Sequence, residues 1–137
     1  MRAVVVTGPD EKDWREADIA GNLADLQARV GGLIEALPVD SGKASVILNE
    51  EGKLLPLPVT AIWTTPEGQI LDVLRGPLVL LGPVDSRGEM LPLTDEALAY
   101  IKQIVRPAPG AELLDALGVR PSCEREPDAQ VLSWPQE

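Results

Sequence analysis

Histidine and phenylalanine are absent from this chain, and cysteine occurs once, at Cys123. Each absence removes a chemistry. Without histidine there is no histidine general base, no serine or cysteine triad of the usual kind and no imidazole metal ligand. A lone cysteine forbids an intramolecular disulfide and a multi-cysteine metal site within one chain. Its surroundings, Pro121-Ser122-Cys123-Glu124-Arg125-Glu126, lack apolar periodicity and read as exposed. Aromatic side chains are scarce, three Trp and one Tyr, so the core must be packed from Leu, Val, Ile and Ala. No window approaches the roughly 18 consecutive apolar residues of a membrane span. The first apolar run, Ala3 to Val6, ends at Gly8-Pro9 and is too short for a signal segment. A cytoplasmic protein is expected.

What is present fits one domain: 137 residues, 45% of them hydrophobic, suffice for one core and fall short of two of ordinary size. The formal net charge of −10 is spread along the chain with no acidic tail. Such a surface disfavours direct contact with nucleic-acid phosphates or an anionic membrane, since both attract positive charge. A soluble acidic surface is the plain reading, and imitation of DNA is a sharper one. Lys53, Arg75, Arg87 and Lys102, interleaved with the acids, count against imitation.

Arg2 to Thr7 is rich in β-branched residues and reads as a strand, with Trp14 to Ile19 returning beside it after a long tip. Asn22 then offers a helix cap, Asp25 sits in the first turn, and Leu23, Leu26 and Val30 form an apolar face expected to pack on a sheet. Gly31-Gly32 stops this helix. A glycine pair also cradles phosphate, but that use needs a strand before it and a helix after it, the reverse of the order here.

Leu33 to Val39 and Lys43 to Asn49 read as a hairpin turned by Asp40-Ser41-Gly42, with Lys53-Leu54-Leu55 as a further short strand. An irregular region is expected from Pro56 to Pro77. Within it Val59 to Trp63 fits a short helix or an extended crossing, and Ile70 to Leu74 fits helix or strand. Leu78 to Gly82 is a buried strand, and Val84 to Leu91 a polar turn with a short return. Thr94, Asp95 and Glu96 start a second helix whose face is Ala97, Leu98, Ile101, Ile104 and Val105. Arg106-Pro107-Ala108-Pro109-Gly110 reads as a linker. Beyond it, Ala111 to Leu117 fits two helical turns, and the rest is a mobile tail unless Val131, Leu132 and Trp134 dock. The expected fold is α+β: a small, mostly antiparallel sheet of hairpins covered by one or two helices over residues 1–105, and a Pro-rich extension over 106–137.

Several spaced pieces recur in order: Leu26-Gln27, Val30-Gly31-Gly32, Ile34-Glu35 and Pro38, then Asn49 to Leu54 and Leu57-Pro58. Asp72-Val73, Gly76, a strand ending at Gly82 and Leu93 to Glu96 follow them. Together they resemble an uncharacterised family of small domains frequent in phages, prophages and conjugative elements. The resemblance runs from about Leu23 to about Gln103. The family usually carries asparagine shortly after Leu-Pro, where this chain has Val59-Thr60. The resemblance implies an accessory protein of a mobile element and supplies no catalytic residues.

With these motifs absent, a non-enzymatic protein without cofactor or metal is expected; a carboxylate pair set across a fold for acid and base work, as in glycosidases, stays open because it cannot be read from sequence. The leading expectation is an accessory module that binds a host or phage protein through its acidic surface or an exposed sheet edge, inhibition of that protein being one form of it. The alternative is a small-ligand or nucleotide-signal binder. Candidate contacts are Glu50, Glu51 and Trp63, with Arg29, Arg75 and Arg87 as the cations a phosphate would need. Each arginine alone reads more simply as a solvated side chain on a surface or turn, and Glu50-Glu51 as a solvated turn.

Overall fold

The computed structural model describes residues 1–39, 42–51 and 57–108. The β-branched N-terminal run forms β1 (Arg2–Val6), and β2 (Trp14–Asp18) returns antiparallel to it, from Arg2 opposite Asp18 to Val6 opposite Trp14. After α1 (Leu23–Val30) comes the hairpin of β3 (Ile34–Val39) and β4 (Ala44–Asn49). Neither hairpin pairs with the other. Both are joined by β7 (Leu78–Leu81), which lies between β1 and β4 and completes a five-stranded antiparallel sheet in the order β2-β1-β7-β4-β3.

Within the region expected to be irregular the extended alternatives hold for both apolar stretches, and β5 (Val59–Thr64) and β6 (Ile70–Arg75) form a hairpin of their own. Two register shifts, between Val59 and Ala61 and between Trp63 and Thr64, interrupt the two-residue period that would have announced β5. Thr60 and Thr64 are buried, which blurs the pattern further, and Thr60 Oγ1 lies 2.7 Å from the Gly76 carbonyl oxygen. The linker reading of Arg106-Pro107 also fails. Proline does end α2 (Asp95–Ile104), but Val105–Pro107 continues directly as β8, an edge strand on β5 where a missing N–H is tolerated. Among the described residues the antiparallel strands thus divide into two sheets, the second in the order β6-β5-β8.

Because β4 is buried along its whole length, its two faces serve two cores. Ala44, Val46 and Leu48 join Val4, Val6, Leu78 and Leu80 in a cluster covered by α2 and by Ala61, Leu74 and Val105 of the smaller sheet. On the opposite face Ile47, Val79 and Leu81 pack with Ala3, Ile19 and the Leu26 and Val30 side chains of α1. The layers are therefore α1, the five-stranded sheet, and then α2 with the three-stranded sheet. Each large side chain fully buried here contributes roughly 1.5–3 kcal/mol.

Both helices begin as their sequences predict. Asn22 Oδ1 accepts from the Asp25 amide at 2.8 Å, and Thr94 Oγ1 accepts from the Ala97 amide at 3.1 Å. Leu23 does not pack on the sheet as expected; it is 59% exposed. It occupies the first helical position, where the side chain leans toward the N-terminus and past the sheet. Gly31 stops α1 in the left-handed region at φ 81°, its N–H and that of Gly32 both reaching the Gln27 carbonyl. Gly32 is needed for another reason. A Cβ there would stand 2.9 Å from Asn49 Nδ2, and that buried amide donates to the Val30 carbonyl at 3.2 Å.

The strand read at Lys53 to Leu55, the turn at Asp40-Ser41, the helical turns after Ala111 and Cys123 lie outside the described residues. Among the described residues no helix is long and apolar enough to cross a membrane.

Candidate binding cleft

The inner faces of the two sheets are apolar over most of their length and change character at one end. On β3 the inward row Val39, Leu37 continues to Glu35, because alternate residues share a face. On β4 the row Ala44, Val46, Leu48 continues to Glu50, whose amide extends the ladder to the Leu33 carbonyl at 3.0 Å. Across from them, Ala61 and Leu74 are paired in the core of the smaller sheet, and the next inward pair along β5 and β6 is Trp63 opposite Asp72. Both sheets thus exchange aliphatic side chains for polar or aromatic ones at the same level. The result is a cleft of about 280 Å³ lined by Glu35, Glu50, Trp63, Asp72 and Arg75 over a floor that includes Leu37, Leu48 and Leu74.

Trp63 is half-buried and packs on the central core with one part of its ring. Arg75 contradicts its reading as a solvated arginine, being only 2% exposed. It ends β6 opposite Val59, just past the register shift between Val59 and Ala61, and its Nη1 donates to the Leu57 carbonyl at 3.2 Å. Glu35 and Glu50 are exposed at the mouth, and Asp72 is half-buried, its Oδ1 accepting from the Val73 amide at 2.8 Å.

Of the residues singled out from sequence, Glu50, Trp63 and Arg75 meet in the cleft, and the other three do not. Glu51 is exposed, outside the lining, with its amide on Asn49 Oδ1 at 2.8 Å. Arg29 lies on α1, beyond the opposite face of the large sheet, with its Nε 3.0 Å from Asp25 Oδ1. Arg87 is exposed in the turn after β7, its amide held by Asp85 Oδ1 at 2.8 Å. Glu35 and Asp72 were not picked out. Glu35 carries a signal in sequence, as a charge at the end of an inward apolar alternation, whereas Asp72 becomes visible only once β5 and β6 are paired.

The chain matches, over residues 1–106, a family described as a domain of unknown function, DUF3846. It belongs to the DUF3846 family. The match takes in both described helices and, but for Pro107 at the end of β8, both described sheets, so every residue of the cleft lies within the DUF3846 domain, and it reaches further toward the N-terminus than the stretch Leu23 to Gln103. No curated protein and no solved structure matches the chain.

A larger hollow of about 490 Å³ lies where α1 begins, between Met1, Leu26, Ile34 and Met90. Polar groups around it are already engaged. The Gly21 amide donates to Asp25 Oδ2 at 2.9 Å, Asn22 caps the helix, and the Met1 amine binds Asp18 and the Ile19 carbonyl. The Gly21 amide, and secondarily Arg29, hold the Asp25 carboxyl below its ordinary value against the opposing effect of burial. Beside these engaged groups the hollow carries the exposed side chain of Glu89, whereas the smaller cleft gathers several charged side chains around an indole.

Chemically, the cleft offers an aromatic face and carboxylates to an incoming group. Among the described residues no three carboxylates converge closely enough to hold a metal ion. The arrangement suits a cation that spreads its charge over several atoms.

Proposed function

We propose that this protein is a non-enzymatic binding module whose cleft engages a protein partner. The observation that carries the reading is the convergence of Trp63 from the smaller sheet with Glu35 and Glu50 from the larger one at the end of the core. Half-buried aromatic residues ringed by polar ones mark the centres of protein interfaces. A small-ligand role is less well supported. Drug-sized ligands occupy pockets of about 300–1,000 Å³ with convergent polar groups, and the cleft's one arginine, Arg75, is buried and shares the lining with three carboxylates, which repel a phosphate. The net charge of −10 directs the module toward a basic partner surface and speeds encounter with it. In this reading the protein is a cytoplasmic accessory of a phage or another mobile element that inhibits the partner it covers, a setting supported by the segments from Val30 to Glu96.

Native mass spectrometry of the purified protein with host lysate identifies a retained partner, whose affinity is then measured for wild type and for the Glu35→Lys, Glu50→Lys double variant. Both positions are exposed, so the variant is expected to fold. Loss of binding in the variant supports the reading; equal affinity for a folded variant refutes the cleft as the interface.

A further inference from the structure

We infer that the group seated in the cleft is an arginine side chain of the partner, its guanidinium laid on the Trp63 indole and its N–H groups directed at Glu35 and Glu50. This rests on the reading of the cleft as a protein-binding site and names the chemistry of its occupant. Three features of the site lead to it. The floor, including Leu37, Leu48 and Leu74, is aliphatic and matches the methylene stem of a long side chain. One wall is an indole, the aromatic that attracts cations most strongly, and guanidinium stacks on it better than ammonium because it is planar and weakly hydrated. The other wall carries carboxylates from two neighbouring strands on one inward face, Glu35 beside Leu48 and Glu50 two residues beyond it, so that a forked donor can address both; with Asp72 they outnumber the buried Arg75 guanidinium that also lines the cleft. At about 280 Å³ the space fits one side chain rather than a folded element. Charge complementarity extends beyond the cleft, since a chain of net −10 favours a basic segment around the inserted residue.

The test follows the Trp63 indole N–H by NMR, assigned through its loss in Trp63→Phe, while blocked short peptides are titrated that differ in one central residue: arginine, lysine, or citrulline, the uncharged isostere of arginine. The arginine peptide is expected to shift the Trp63 signal and the Glu35 and Glu50 amides, binding roughly tenfold more tightly than the citrulline peptide, a difference of about 1.4 kcal/mol. Its affinity should fall with added salt and in Glu50→Gln. Binding of the lysine or the citrulline peptide at Trp63 as tight as that of the arginine peptide would overturn the choice of arginine while leaving a protein-binding cleft. Shifts confined to surfaces other than the cleft, or no shift with any peptide, would overturn the inference. The broader reading fails separately, if the partner captured from lysate binds the charge-reversed variant as well as wild type.

Discussion

The glycine pair after α1 lends itself to dissection because its two members do different things. At Gly31 the backbone is left-handed with φ 81° and a Cβ would meet nothing within 4 Å, so alanine there pays in conformation alone. That cost is about 1–2 kcal/mol, and asparagine, which tolerates this region, should recover part of it. Gly32 has no positive φ, and its added Cβ would instead press on Asn49 Nδ2 at 2.9 Å. Asn49 is 4% exposed and ties the Val30 carbonyl to the Glu51 amide. Displacing it leaves buried polar groups unsatisfied, at about 1–3 kcal/mol. Urea unfolding followed by circular dichroism should lower the midpoint by about 1 M for either alanine variant, given a slope of roughly 1–3 kcal/mol per molar. The decisive measurement is a double-mutant cycle. In an Asn49→Ala background, Gly32→Ala should lose most of its effect while Gly31→Ala keeps its own. Additive Gly32 and Asn49 costs would refute the steric account. A well-folded Gly31→Val, Gly32→Val protein would refute the pair's role as the helix stop.

Other expectations are more local. Leu26→Ala, at 1% exposure, should cost about 2–5 kcal/mol in thermal or urea unfolding, whereas Leu23→Ser should stay within about 0.5 kcal/mol. Thr60→Val keeps the volume but removes the hydroxyl beside the Leu74 and Gly76 carbonyls, and should destabilise by about 1–3 kcal/mol in the same assay. Asp25 titrates lower in the folded chain than in the unfolded one, so its contribution is complete above the ordinary carboxylate range and disappears as pH falls through the depressed folded value. Asp25→Asn should therefore lower stability near neutral pH and flatten the acid limb of a plot of unfolding midpoint against pH.

Elements whose signals are local were legible in the sequence. The caps at Asn22 and Thr94, the glycine stop, the alternation of β4 and the short apolar run of β7 each depend on neighbours within a few residues. The second sheet was not legible, because β5 carries register shifts and buried threonines and β6 has adjacent exposed Ile70 and Leu71 at one end and adjacent buried Leu74 and Arg75 at the other. The cleft depends on that sheet. Glu50, Trp63 and Arg75 could be named from residue type alone, but their meeting is a property of how two hairpins distant in sequence face each other. Leu23 shows the same limit on a smaller scale, since helical spacing gives the direction of a side chain and not where the sheet beneath it ends.

The placement of β7 has a consequence for the order of events during synthesis. Val4 to Val6 find partners in Leu78 to Leu80, and Ser45 to Leu48 find theirs in Leu78 to Leu81, so the central strand of the large sheet is made last. Until Leu81 has left the ribosome, the β1–β2 and β3–β4 hairpins exist as separate ribbons with apolar faces, and the β1 and β4 edges that β7 later fills stay open. Nascent chains cut short before Leu78 should be held by chaperones or aggregate, and those that include it should collapse together, because this strand closes both edges in one step.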